Sequence, residues 1–89
     1  MQMILRLRVK GKAYSLPIDA AQPHRDKEDE NYAEWVVTAA DGRVFEVTVW
    51  KDGNGVLTDD ASVEVYDNED DRADRMLLDK RTARMSRVG

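Results

Sequence analysis

The stretch Val44-Phe45-Glu46-Val47-Thr48-Val49-Trp50 decides the class of this chain. Phe45, Val47 and Val49 fall on one side, and Val44, Glu46, Thr48 and Trp50 on the other. A period of two in β-branched and aromatic residues means an extended strand with one buried face. Both flanks are turns: Asp41-Gly42 before it and Asp52-Gly53-Asn54-Gly55 after it. Such residues tolerate positive φ, so each flank reads as a hairpin, and hairpins make antiparallel sheet.

The same reasoning extends outward. Met3, Leu5, Leu7 and Val9 alternate with Arg6, Arg8 and Lys10, and Tyr14, Leu16 and Ile18 alternate with Ser15 and Pro17. Lys10-Gly11-Lys12 turns the chain between them. Pro17 lacks an N–H, so the second strand is expected to lie at an edge or to end there. Trp35-Val36-Val37 begins a third strand, with Tyr32 just before it. Val56-Leu57 reads as a short or bulged start, and Val63, Val65 and Tyr66 as a last strand. The strands are expected near 3–10, 13–18, 33–39, 43–51 and 62–66. Residues 19–31 carry no apolar period and read as a mobile loop.

After Asn68 the period changes. Asn68 can cap a helix, Glu69, Asp70 and Asp71 suit the positive end of its dipole, and Lys80, Arg81, Arg84 and Arg87 suit the other. Ala73, Met76 and Leu77 make an apolar stripe, with Leu78, Thr82 and Met85 beside it. The spacing predicts a helix near 69–85.

The expected fold is therefore α+β and mainly β: an antiparallel meander of about five strands, curled or barrel-like, with one C-terminal helix packed on it. Residues 1–89 form a single domain. The expected core is Leu5, Leu7, Tyr14, Leu16, Trp35, Val37, Phe45, Val47, Val49, Val63, Val65, Met76 and Leu77.

Composition narrows the function. With 89 residues there is room for one modest core. A net charge of −4 disfavours nonspecific binding to phosphate backbones. The chain has no cysteine, which excludes disulfides, thiolate metal sites and a Cys nucleophile. Arg6 and Arg8 interrupt the N-terminal apolar residues, so they form no signal-peptide core, and no run is long enough to span a membrane. The expected location is cytoplasmic, in a bacterial cell or a phage-infected host.

Catalytic chemistry finds little support. The single histidine, His24, sits in the polar loop beside Pro23. The carboxylates fall in runs, which read as solvated faces or caps. Asp52-Gly53-Asn54 begins like a calcium loop, but positions five, six and twelve hold Val56, Leu57 and Val63. No enzyme activity, metal or cofactor is expected.

Charge is distributed unevenly. Asp59, Asp60, Glu64, Asp67, Glu69, Asp70, Asp71 and Asp74 concentrate around the last expected strand and the helix start. Such a surface attracts a basic protein, one that handles nucleic acids included. The favoured expectation is a non-enzymatic protein-interaction module. Its concrete form is a small phage or mobile-element inhibitor of a host nucleic-acid-handling complex, similar in size and charge to anti-CRISPR proteins. The contacts would be Asp59, Asp60, Asp67, Glu69, Asp70, Asp71 and Asp74, with loop 24–30. One alternative is nucleic-acid binding through Arg6, Arg8, Lys10 and Lys12 on the first hairpin. Another is a structural or assembly subunit pairing through an edge strand or the Arg-rich tail. The chain is expected to be a monomer or homodimer.

Overall fold

A computed structural model describes residues 2–20, 23 and 31–88. Six strands occur among them: β1 (Gln2–Val9), β2 (Lys12–Asp19), β3 (Tyr32–Thr38), β4 (Val44–Lys51), β5 (Leu57–Tyr66) and β6 (Asp79–Val88). One short helix, α1 (Glu69–Ala73), precedes β6. All pairings are antiparallel, in the order β2-β1-β6-β5-β4-β3. The sheet curls into a half-barrel.

The turns follow from their residues. Lys10 and Gly11 both have positive φ, 50° and 79°, the geometry of a type I′ turn whose twist matches the flanking strands. The β3–β4 and β4–β5 turns repeat one design. Ala39 N–H donates to Arg43 O, and Asp52 N–H to Val56 O; Gly42 and Gly55 follow in the left-handed region at 95° and 78°. Each is a type I turn closed by a glycine bulge. Asp41 Oδ1 and Asp52 Oδ1 accept backbone N–H groups inside their own turns.

The inward face is a single apolar cluster. Met3, Leu5, Val9, Ile18, Phe45, Val47, Val49, Val63 and Val65 are all but fully buried, and Trp35, Tyr14, Leu16 and Met85 nearly so. Tyr14 on β2 meets Phe45 on β4 edge-to-face, with centroids 5.0 Å apart. The curl thus folds the β1–β2 hairpin over β4, and the outward faces of the two regions point away from each other. The outer strands β2 and β3 run antiparallel without a ladder between them. Side chains bridge that seam: Trp35 Nε1 donates to Asp19 O at 2.9 Å at one end, and Lys12 and Tyr14 reach Asp41 at the other.

Two expectations are corrected. The helix does not run to residue 85; it ends at Ala73, and 79–88 is a sixth strand. Arg75 takes φ 57°, while Arg75 N–H bonds Arg72 O and Met76 N–H bonds Asp71 O. This is a Schellman stop, with arginine where glycine is usual. Beyond it, residues 79–84 pair with β5 and residues 85–88 with β1, so β6 joins the two halves of the sheet. Backbone pairing on both sides outweighs helical spacing in a segment with few apolar residues. Met76 and Leu77 are accordingly exposed, not core. Val37 is only partly buried. His24 and loop 24–30 lie outside the described residues.

Candidate functional site

Between β5 and β6 the chain leaves the sheet as an arm, residues 67–78. Asn68 caps α1: its Oδ1 accepts Asp71 N–H at 2.8 Å. Glu69, Asp70 and Asp71 fill the first turn, as the helix dipole favours. The arm lies over the outward side of β4 and β5. Val44 and Tyr66, a cross-strand pair on that side, are almost completely buried there.

One carboxylate fixes the arm. Glu46, on β4, has a side chain only 8% exposed. Its Oε1 accepts Arg72 Nε at 3.0 Å and Arg75 Nη1 at 2.9 Å. The Arg75 guanidinium also stands over the Tyr66 ring, 5.4 Å from its centroid. The hydrogen bond to Glu46 raises the Arg75 pKa, and burial, followed by the charges of Glu46 and Glu64, raises that of Tyr66. Arg75 holds its left-handed backbone while both contacts engage its side chain.

The acidic residues separate into two groups. Asp59 pairs with Arg87 at 2.6 Å, Asp60 with Arg84 at 3.7 Å, Asp67 with Arg43 at 3.5 Å and Glu69 with Arg72 at 2.7 Å. These four are partly neutralised within the molecule. Asp70, Asp71 and Asp74 form no side-chain ion pair among the described residues. They stand beside Met76 and Leu77, which are 61% and 45% exposed.

The basic hairpin is smaller than the sequence suggested. Lys12 is not on the outward face; paired with Val9, it points to the inner side and ion-pairs with Asp41 at 2.7 Å. Tyr14 OH donates to the same carboxylate oxygen at 2.6 Å and accepts from Arg43 Nη1 at 3.0 Å. These bonds, Lys12's above all, hold the Asp41 carboxyl far below the usual carboxylate range. Lys10 sits in the turn. Arg6 and Arg8 remain outward, opposite the small residues Ser15 and Ala13. The four flank a shallow, mostly apolar trough of about 420 Å³. Arg8 donates to Gly11 O; Arg6 has no hydrogen bond or ion pair among the described residues.

A third surface surrounds Trp50, which is 46% exposed and packs edge-on against Tyr32 with centroids 5.9 Å apart. It borders a groove with Asp60, Thr82 and Arg84. Sequence reading anticipated neither the Glu46 clamp nor the apolar tip. Glu46 occupies an ordinary outward position, and nothing in its spacing reveals partners on a later segment.

The arrangement is that of a small curled β-sheet carrying one acidic arm pinned by Glu46. No family model, curated protein or solved structure matches the chain.

Proposed function

We propose that the protein is a non-enzymatic protein-interaction module whose arm docks on a basic partner. The observation that carries this reading is the arm itself: Asp70, Asp71 and Asp74, without internal ion partners among the described residues, beside exposed Met76 and Leu77. Charges on a rim steer association and set its salt dependence, while apolar anchors supply contact energy. The Glu46 clamp holds the arm in one position, which lowers the ordering cost of binding. Asp59, Asp60, Asp67 and Glu69 contribute less, because each already has a cation. The narrower form, an inhibitor of a nucleic-acid-handling complex, adds that the arm occupies a groove otherwise filled by phosphates.

The test is capture of a basic nucleic-acid-binding protein by the tagged chain at low and high salt. Capture is expected to weaken with salt and to be lost in Asp70→Lys/Asp71→Lys, while Trp50→Ala retains it. The reverse pattern would move the site to the Trp50 groove. For the inhibitor form, the captured partner should lose its grip on nucleic acid as the chain is added.

A further inference from the structure

We propose that the trough between Arg6 and Arg8 receives the arm of a second copy of this chain, so that copies associate head to tail. This rests on the reading of the arm as a docking element and names a partner for it. Three observations support it.

The first is shape and polarity. The trough holds about 420 Å³, has mostly apolar walls, and is lined by the small residues Ala13 and Ser15 across from the two arginines. Clefts of that size accommodate several apolar groups. The arm offers Met76 and Leu77, both exposed and adjacent in sequence.

The second is charge. Arg6 and Arg8 flank the trough, Arg6 with no acidic partner and Arg8 held only by the Gly11 carbonyl. Asp70, Asp71 and Asp74 lie just before the apolar pair in the same arm, and Met76 N–H bonds the Asp71 carbonyl at 2.8 Å. Seating Met76 and Leu77 between the arginines brings the spare cations of one copy to the spare carboxylates of the next.

The third is placement. The trough lies on the outward side of β1–β2 and the arm on the outward side of β4–β5, with the Tyr14–Phe45 contact between the two regions. The complementary surfaces therefore face opposite directions. Two copies cannot satisfy both contacts symmetrically, so the contact is heterologous and propagates.

Sedimentation and light scattering on the whole chain test this. At about 0.5 mM, where a small interface is populated, the wild type is expected to exceed twice the 10.2 kDa chain mass. Raising salt from about 0.05 M to about 0.5 M should weaken association roughly tenfold or more, since the contact is charge-flanked. Arg6→Glu/Arg8→Glu and Met76→Ser/Leu77→Ser should each be monomeric. Mixed together they should form a dimer and nothing larger, because one intact arm meets one intact trough. Ser15→Trp, which fills the trough without changing charge, should also be monomeric.

A wild type that stays monomeric at that concentration overturns the proposal. So does assembly unaffected by Ser15→Trp. Failure here is separable from failure of the broader reading. Arg6→Glu/Arg8→Glu should still capture a basic protein through its intact arm, whereas Met76→Ser/Leu77→Ser should not.

Discussion

Two carboxylates each accept three hydrogen bonds, and the molecule uses them differently. Glu46 lies almost out of water beneath the arm and accepts three guanidinium hydrogen bonds, one from Arg72 and two from Arg75. Asp41 lies at the rim of the seam, its side chain 26% exposed, and receives Lys12, Tyr14 and the Arg43 backbone. Water can replace the donors of Asp41 at little cost. It cannot reach Glu46 in the same way, so partners lost there leave a buried charge unpaired. A similar number of bonds therefore differs in worth according to burial.

The contrast is sharpest at Glu46. Glu46→Gln is expected to lower unfolding stability by about 2 kcal/mol in urea melts, a discounted value because both arginines remain partly hydrated. The freed arm should be cut sooner by trypsin after Arg72 and Arg75. A melt matching the wild type would show that Glu46 does not hold the arm.

At the seam, Trp35→Phe removes the indole donor to Asp19 O and should cost about 1 kcal/mol by the same melts. On the arm, Arg75→Ala should destabilise less than Glu46→Gln, and Arg75→Gly less again. Glycine relieves the left-handed backbone at φ 57° while losing the same side chain, so the order of the two melts separates strain from pairing. A glycine variant weaker than the alanine one would overturn that account.

The smallest effect belongs to Asp41. Its folded pKa lies below its ordinary value of 3.8, so its contribution is complete above that pH and fades as pH falls toward the folded pKa. Asp41→Asn should melt slightly below the wild type at pH 7, and the gap should narrow below about pH 4. A gap that stayed constant on acidification would break the assignment.

Much of the sheet was legible because β1 to β4 and the second half of β5 alternate, with glycines marking three of the turns; residues 57–61, read as a turn at Thr58-Asp59-Asp60, are the polar first half of β5. β6 was not. Its inward positions are Asp79, Arg81, Ala83, Met85 and Arg87, so only two apolar residues mark the buried side. The charged ones are accommodated at the ends: Arg81 bonds Asp79, and Arg87 reaches Asp59 and the Leu57 carbonyl. Bonds made across the fold mask the period that a single segment would show. The N-cap at Asn68 was readable because it is local. The helix stop was not, because arginine occupies the position where glycine would have announced it.

The place of β6 in the sheet also governs how the fold can assemble. It lies between β1 and β5 yet follows them all in the chain. Until residues 79–88 arrive, the β1–β2 hairpin and the β3–β4–β5 meander have no shared ladder, and β1 and β5 present raw edges to each other. Closing the sheet joins Leu5 to Met85, one of the most distant pairs in the sequence, which makes for slow, late completion. The half-assembled chain is the aggregation-prone form. The last strand thus acts as a keystone, and its sequence offered as a free peptide is the natural competitor for that open slot.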